Sequence, residues 1–239
     1  VFRKMREIII MITAIFPAAG QGKRMGMKVN KIFLSLGGKT VLYHTLYTFS
    51  KCEMIDELVV VASPEEVTVV RELLKTMDGL KPWQVVAGGL ERQYSIENAL
   101  EVVSPGTKII LVHDAARPII SAKIIEKVIE ETRHHGATIT AVRAKDTIKV
   151  VDEKGIVIDT PQRNGLWAVQ TPQGFQADIL KDAYQKAKED DFLGTDDASL
   201  VERMGRKVKV VEGDYTNIKI TTPEDLIMAE SFIKRRSNQ

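Results

Sequence analysis

The residues best suited to chemistry form a glycine-rich basic segment, PAAGQGKRMG, at positions 17–26. It follows the apolar run IIIMITAIF and carries Gly20 and Gly22 beside Lys23 and Arg24. Glycines let backbone N–H groups approach an anion closely, and the two basic side chains add charge-assisted donors. The segment therefore predicts a site that binds phosphate groups.

Neither of the two commonest phosphate-binding motifs fits this segment. A dinucleotide fingerprint requires G-x-G-x-x-G, whereas Gly20, Gly22 and Gly26 have a spacing that is one residue longer. A P-loop places a hydroxyl residue directly after Gly-Lys, and this chain has Arg24 at that position. The predicted phosphate chemistry therefore needs a different framework.

The charge around the segment has one sign. From Ile8 to Cys52 the chain has six Lys or Arg residues and no Asp or Glu, although its net charge is only +2. Such a stretch is consistent either with a solvated basic surface or with a binding site for a multiply charged anion. The other loops of the chain favour the binding site.

One of these loops is VHDAARP at positions 112–118, which ends another apolar run. Asp114 stands where acidic residues of α/β sheets often hold Mg²⁺ beside a polyphosphate. The alternative is a turn in which Asp114 pairs with Arg117. The sequence shows no Cys/His spacing of a zinc site and no Ser-His-Asp or G-x-S-x-G pattern. Phosphate handling by Lys, Arg and one acid is the chemistry that remains.

These loops need a scaffold, and the chain supplies apolar strands that alternate with amphipathic helices. The pattern predicts strands at 7–16, 56–63, 83–89, 108–118, 137–144, 207–213 and 217–221, and helices at 40–51, 64–77, 92–103, 121–136, 177–189, near 197–204 and from 223 onward. Continuous apolar strands of this kind indicate a mostly parallel, doubly wound sheet of the α/β class. Ligands of such sheets bind beyond the carboxyl ends of the strands, where segments 17–31, 88–95 and 113–118 fall.

The segment DTIKVVDEKGIVIDTPQ at 146–162 interrupts this alternation. Two short strand-like runs flank an Asp-Glu-Lys-Gly turn, and they have too little apolar surface for an independent domain. We expect a β-arm at about 146–168 that projects from a single domain spanning 1–239. Exposed arms commonly pair with another subunit, so a homodimer is expected.

Composition sets the wider limits. A hydrophobic content of 44%, a charged content of 28% and a net charge of +2 are ordinary for a globular protein, and they give no case for nucleic acid or a membrane as a partner. The basic and apolar start resembles a signal peptide, but a β-branched run that leads into a glycine turn favours a buried strand. A single cysteine, Cys52, excludes an intramolecular disulfide and is consistent with the cytoplasm.

Five segments occur in one order along the chain: PAAGQGKRMG, VHDAARP, RNGLWAVQTPQGF, TDDASLVE and NIKITTPEDL. Together they resemble the 2-C-methyl-D-erythritol 4-phosphate cytidylyltransferase family over about residues 12–235. The resemblance implies a Rossmann-like sugar-nucleotidyltransferase fold and a homodimer built through the arm. It also implies CTP, Mg²⁺ and a sugar-alcohol phosphate acceptor, which react to give a CDP-alcohol and pyrophosphate.

The same resemblance implies a role for individual residues. Arg24 and Lys31 would be the catalytic residues that stabilise the transition state. The nucleotide would be bound by Pro17, Ala18, Ala19, Gly20, Gly89, Ser95 and Arg117, with Asp114 at the metal. The acceptor would be positioned by Arg163, Lys219, Thr147, Thr171 and Thr195. Arg163 and Thr147 lie on the arm and would reach into the partner's site.

Two positions depart from the usual family pattern. Asn30-Lys31-Ile32 stands where Pro-Lys-Gln is usual, and Leu90 stands where an acid often follows the glycine pair. The lysine itself is kept, with Lys28 as a nearby competitor for its role.

Two alternatives remain open at this stage. A ribitol-5-phosphate cytidylyltransferase would share the fold and the donor. A non-catalytic nucleotide-binding regulator is disfavoured because Lys31, Asp114 and Arg163 are all present.

Overall fold

The structure, a computed structural model, describes residues 10–20 and 30–237. Its strands are β1 Met11–Pro17, β2 Ser35–Leu36, β3 Lys39–Thr40, β4 Glu57–Ala62, β5 Trp83–Ala87, β6 Thr107–Val112, β7 Ala137–Arg143, β8 Val150–Val151, β9 Val157–Asp159, β10 Trp167–Gln176 and β11 Lys209–Glu212. Its α-helices are α1 Val41–Lys51, α2 Val67–Lys75, α3 Arg92–Val102, α4 Ala122–His135, α5 Ala177–Glu189, α6 Asp197–Arg203 and α7 Pro223–Ser237. Short 3₁₀ helices cover Lys31–Phe33, Pro64–Glu66 and Arg163–Gly165.

Seven of the strands form one sheet in the order β11-β7-β10-β6-β1-β4-β5. Every neighbouring pair is parallel except the two that contain β10, which runs antiparallel to β6 and to β7. The predicted mostly parallel α/β sheet is therefore confirmed. Parallel strands share one carboxyl edge, so the loops after β1, β5 and β6 meet there.

Helices cover both faces of the sheet, as the strand sequences require. In β4 all six residues are buried, with Leu58 and Val60 in the core on one face and Val59 and Val61 in the core on the other. Side chains alternate along a strand, so an apolar run such as ELVVVA needs a helical layer on each side. Helices α1, α2 and α4 supply one layer, and α3, α5 and α6 supply the other.

Local capping explains where the helices begin and end. The Ser121 hydroxyl accepts a hydrogen bond from the Ile124 N–H at the start of α4, and Gly136 ends that helix at φ 80°. Asp196 forms a capping box with Ser199 at the start of α6. Serine and aspartate favour the N-cap position, and glycine favours the position that ends a helix.

The sequence reading missed one strand and predicted another that does not form. The missed strand is β10, Trp167–Gln176, which lies in the middle of the sheet. It was missed because Pro172 and Gly174 are residues typical of loops. The pairing of β10 with β7 shifts register between Gln170 and Gln173, which accommodates this proline. Conversely, residues 217–221 form no strand, although the Ile220 N–H donates to the Ala116 carbonyl at 2.9 Å.

The segment expected as an arm is an exposed antiparallel ribbon of β8 and β9. Its apolar side chains face solvent in this single chain: Ile148, Val150, Val151, Ile156, Val157 and Ile158. The last two residues of the expected range, Trp167 and Ala168, belong to β10 instead. That the chain is a single domain stays a prediction. Of the helices in the described residues, none has the length and apolar character needed to cross a membrane.

Candidate active site

A cleft with a volume of about 180 Å³ lies at the carboxyl edge of the sheet. Nine of the residues predicted from the sequence line it: Pro17, Ala18, Ala19, Gly20, Lys31, Gly89, Ser95, Asp114 and Lys219. They come from segments separated by up to two hundred positions, and the parallel strands bring them together.

Close backbone packing forms one wall of the cleft. The Ala18 N–H donates to the Val61 carbonyl and the Gly88 N–H donates to the Ala62 carbonyl, both at 2.7 Å. A Cβ at Gly88 would lie 2.8 Å from both the Ala19 Cβ and the Ser95 Oγ, so only glycine fits there. The loops after β1 and β5 can therefore touch.

Ser95 holds the glycine turn in place. Its Oγ accepts a hydrogen bond from the Gly89 N–H at 3.1 Å and donates to the Glu91 carbonyl at 3.1 Å. These two bonds orient the backbone that faces the cleft. A nucleotide contact by Ser95 stays a prediction, because the hydroxyl already has this local role.

Lys31 enters the cleft from a short 3₁₀ helix that Asn30 fixes. The buried Asn30 amide donates to the Ala18 carbonyl at 2.9 Å and to Glu66 Oε2 at 2.8 Å, while its Oδ1 accepts from the Ile32 N–H at 3.3 Å. The asparagine therefore ties Lys31 to the end of β1. Asn30, which stands where the family usually has proline, therefore has a structural role of its own.

Asp114 is surrounded by cations. Its Oδ2 lies 3.1 Å from Lys219 Nζ and 3.2 Å from Arg117 Nε, and its Oδ1 lies 4.0 Å from Arg92 Nε. Burial alone would raise the pKa of this carboxyl, but the attraction of Lys219, Arg117 and Arg92 outweighs it and holds the pKa well below its usual range. Asp114 is therefore a carboxylate that keeps three basic side chains close together.

A buried hydrogen-bond network sets the backbone of Asp114. Burial lowers the pKa of His113 to about 4, so its ring is neutral near pH 7. The Arg117 carbonyl can only accept, so His113 Nε2–H donates to it at 3.1 Å and Nδ1 is left as an acceptor. The Thr171 hydroxyl then donates to Nδ1 at 3.1 Å and accepts from the Asp114 N–H at 3.0 Å. The predicted site residue Thr171 thus lies directly beneath Asp114.

Arg117 is not among the residues that line the cleft. Its side chain is mostly buried, and its Nη1 donates to the Asn217 carbonyl at 2.9 Å while Nε pairs with Asp114. The turn pairing considered as an alternative for Asp114 and Arg117 is therefore present. Arg117 also joins the loop after β6 to the loop that carries Lys219, and its role as a nucleotide contact stays a prediction.

Three other predicted residues lie outside the lining of the cleft, and a fourth, Arg24, is not described. Thr147, before β8, and Arg163, in the 3₁₀ helix after β9, are both exposed, and Arg163 Nη1 donates to the Lys145 carbonyl at 2.9 Å. Thr195 is exposed just before the cap of α6. Arg24 lies outside the described residues.

Sequence reasoning missed Arg92, which lines the cleft at the start of α3. Its Nη2 donates to Asp197 Oδ2 at 2.6 Å, and the second oxygen of Asp197 accepts from the Tyr184 hydroxyl at 2.6 Å. The available signal was its place three residues after a Gly-Gly pair, in GGLER. Its partner Asp197 is far away in the chain, so no local pattern links the two.

The described residues include no group of three or more His, Cys, Asp or Glu side chains that could hold a metal ion. Mg²⁺ in nucleotide sites commonly takes one or two carboxylates together with substrate phosphate oxygens. Asp114 fits that mode, because its carboxyl is ionised and lines the cleft. The site can therefore offer one oxygen ligand to a metal that arrives with a triphosphate.

The fold and the cleft define an α/β protein with a cleft of Lys, Arg and glycine backbone at the carboxyl edge of its sheet, a lining whose chemistry suits an anion. A family profile described as 2-C-methyl-D-erythritol 4-phosphate cytidylyltransferase matches residues 12–235. The chain belongs to that family.

Relatives and solved structures agree with this assignment. The 2-C-methyl-D-erythritol 4-phosphate cytidylyltransferase of Caldanaerobacter subterraneus subsp. tengcongensis is 48% identical over 94% of this chain and 99% of its own. That of Bacillus mycoides is 50% identical over 93% of this chain and 98% of its own. The structure of 4-diphosphocytidyl-2C-methyl-D-erythritol synthase from Anaerococcus prevotii has a TM-score of 0.84 at 36% identity and covers 95% of this chain and 100% of its own.

Proposed function

We propose that this chain transfers the cytidylyl group of CTP to 2-C-methyl-D-erythritol 4-phosphate and releases pyrophosphate. The observation that carries the proposal is the gathering of Lys31, Arg92 and Lys219 with the glycine turns around one cleft, in a chain that belongs to the matching family. None of the relatives described above is named for ribitol 5-phosphate, so nothing favours that alternative.

The reaction needs charge stabilisation more than a base. An oxygen of the acceptor's phosphate attacks the α-phosphorus of CTP, and the bond from that phosphorus to the oxygen bridging to the β-phosphate breaks as pyrophosphate leaves. A phosphate monoester has a second pKa of about 6, so the nucleophile is largely ionised at neutral pH. His113, the imidazole nearest to Asp114 in sequence, is fully buried and neutral, which agrees with a mechanism without a base.

Fixed cations address the two electrostatic obstacles of this reaction. They offset the repulsion between the anionic substrates and stabilise the charge that grows on the α-phosphate. Lys31 lines the cleft beside Gly20, and we assign it this role together with Arg24. Lys219, held against Asp114 at 3.1 Å, is assigned to the acceptor's phosphate.

We propose Mg²⁺ as the cofactor, and Asp114 would hold it together with the triphosphate. When bound, the ion would neutralise triphosphate charge and help to orient the leaving pyrophosphate. The single cysteine of the chain, Cys52, is free and buried, which supports a location in the reducing cytoplasm.

We further propose a homodimer in which the exposed ribbon packs on a second copy of the chain. The row of solvent-facing Val and Ile side chains supports this, because a paired ribbon would bury them. Arg163 and Thr147 would then reach the partner's cleft, since neither lies in the cleft of its own chain.

The direct test measures pyrophosphate release from purified protein with CTP and 2-C-methyl-D-erythritol 4-phosphate. We expect release only when both substrates and Mg²⁺ are present, and its loss on addition of a chelator. Reactions without acceptor, and with ribitol 5-phosphate instead, are the controls. Release with ribitol 5-phosphate but not with 2-C-methyl-D-erythritol 4-phosphate would overturn the proposed acceptor. Release without Mg²⁺ would overturn the proposed cofactor.

A further inference from the structure

Arg92 lines the cleft beside Asp114, yet nothing in the reaction described above gives its charge a specific contact. Its side chain is 33% exposed, so part of the guanidinium faces the protein and part faces the cleft. This arrangement differs from that of Arg117, whose side chain is only 11% exposed and whose guanidinium is used by protein acceptors.

The protein side of Arg92 is fixed by a buried carboxylate. Asp197 is fully buried, and it accepts from Arg92 Nη2 and from the Tyr184 hydroxyl, one on each oxygen and both at 2.6 Å. A buried charge needs such partners, because desolvation without them is costly. Arg92 is therefore held in one position from α6 and α5.

On the cleft side, the guanidinium of Arg92 has N–H donors that could bind a ligand. A guanidinium carries five N–H donors, and Nη2 makes the hydrogen bond that the described residues show. Nε lies 4.0 Å from Asp114 Oδ1, which is beyond hydrogen-bond distance. Lys219 Nζ lies at the other oxygen of the same carboxylate. Two cations thus flank Asp114 at the cleft, and an incoming phosphate would meet both.

We propose that Arg92 is a phosphate-binding residue of this cleft and that Asp197 and Tyr184 are the residues that position it. The inference rests on the proposed function, because it assigns Arg92 to the substrates of that reaction. The ligand is a phosphate group, supplied either by the triphosphate of CTP or by the phosphate monoester of the acceptor. The planar guanidinium of Arg92 suits this task, because it can bind Asp197 and phosphate oxygens at the same time.

The central experiment compares Arg92→Met/Asp197→Asn, which removes both partners of the buried pair, with Arg92→Lys and the unmodified protein. The double variant avoids an unpaired buried carboxylate, so it retains the fold. We expect KM to rise about 10- to 100-fold for the substrate whose phosphate Arg92 binds. The KM of Arg92→Lys should rise by a smaller factor, because lysine keeps the positive charge but lacks the planar guanidinium.

The matched control is Arg203→Met, which removes an arginine from another carboxylate pair on α6. Arg203 Nη2 lies 3.1 Å from Asp190 Oδ2, and neither residue lines the cleft. We expect its KM values to equal those of the unmodified protein. Asp197→Asn alone leaves Arg92 present but loosely held, so it should raise KM for the same substrate by a smaller factor.

Calorimetric binding of inorganic pyrophosphate and of CTP separates the two sources of phosphate. Weaker binding of both by the double variant identifies the triphosphate, and a raised KM for the acceptor alone identifies the monoester. Unchanged binding and unchanged KM values in a folded double variant would overturn the inference. If the unmodified protein released no pyrophosphate, the proposed reaction would be wrong. Equal binding of pyrophosphate, of CTP and of 2-C-methyl-D-erythritol 4-phosphate by the double variant and the unmodified protein would overturn the inference separately.

Discussion

Asp114 shows how single residues of this cleft are controlled by their partners. Lys219, Arg117 and Arg92 keep it ionised inside the protein, and in return it keeps those cations next to one another without a substrate. Lys31 comes from a different segment, which the side chain of Asn30 ties to Ala18 at the end of β1.

Replacement of Lys31 by alanine tests the role of fixed charge in the transition state. We expect kcat to fall about 10²- to 10³-fold while the melting temperature changes little, because the lost interaction is made mainly with the transition state. Lys39→Ala is the control, since Lys39 is exposed and lies 5.1 Å from the Tyr43 ring centroid. Turnover within about threefold of the unmodified protein would refute the role of Lys31.

The burial of His113 predicts how the free energy of unfolding depends on pH. Its pKa is about 4 in the folded chain, mainly because of burial, against about 6.5 in an unfolded chain. The unfolded state therefore binds more protons between these values, and the free energy of unfolding should fall by about 3 kcal/mol as pH drops from 6.5 to 4. Asp114 has a lowered pKa, so its contribution is lost only at more acidic pH.

Denaturant titrations of the unmodified protein and of His113→Gln at several pH values measure this difference. The remaining histidines are common to both proteins, so their effect cancels in the comparison. The variant should show a flatter pH dependence between 6.5 and 4. An identical slope in both proteins would show that His113 does not titrate as described.

At the scale of elements, β10 is the antiparallel strand that joins the two parallel parts of the sheet. It passes so close to α4 that Gly174 has no room for a side chain. A Cβ there would overlap Thr132 Oγ1 and would lie 2.8 Å from Val128 Cγ1 and Thr138 Oγ1. Thr171 is on the same strand, so the fit of β10 also sets the floor of the cleft.

Gly174→Ala should therefore destabilise the protein by about 1–3 kcal/mol, because α4 must move away from the sheet. Gly165→Ala is the control, since a Cβ at Gly165 meets no atom within 4 Å. Urea denaturation of both variants measures the effect. Equal midpoints for the two variants would contradict the close packing of β10 against α4.

At the scale of the whole molecule, the proposed homodimer would link assembly to catalysis through Arg163. Arg163 is in the 3₁₀ helix that follows an exposed ribbon, whose apolar side chains face solvent in one chain. If the proposed homodimer forms, each active site combines Lys31 of one chain with Arg163 of the other. Activity then depends on the assembled dimer and not on the folded chain alone.

Subunit mixing tests this arrangement. Lys31→Ala and Arg163→Ala homodimers should each be nearly inactive. A mixture that exchanges subunits should regain about one quarter of normal turnover, since half of the dimers are mixed and one of their two sites is intact. Sedimentation analysis checks that dimers form. A mixture that stays inactive after exchange would show that Arg163 acts within its own chain, and an active Arg163→Ala homodimer would show that Arg163 has no role.

The sequence alone determined the alternation of strands and helices, most helix caps and the loops that form the cleft. Apolar periodicity, Gly and Pro placement and capping residues act over a few neighbouring positions, and a parallel sheet then brings its carboxyl ends to one edge. This is why segments 17–31, 88–95 and 113–118 could be assigned to one edge of the sheet before their geometry was seen, whereas Lys219 was assigned only through the resemblance to the family.

Only the tertiary structure decided how β10 enters the sheet and how Arg92 reaches the cleft. A strand that carries Pro172 and Gly174 is stabilised by its two neighbours and not by its own propensity. The pair of Arg92 with Asp197 joins residues 105 positions apart, and its strength depends on burial by helices that no local pattern reports.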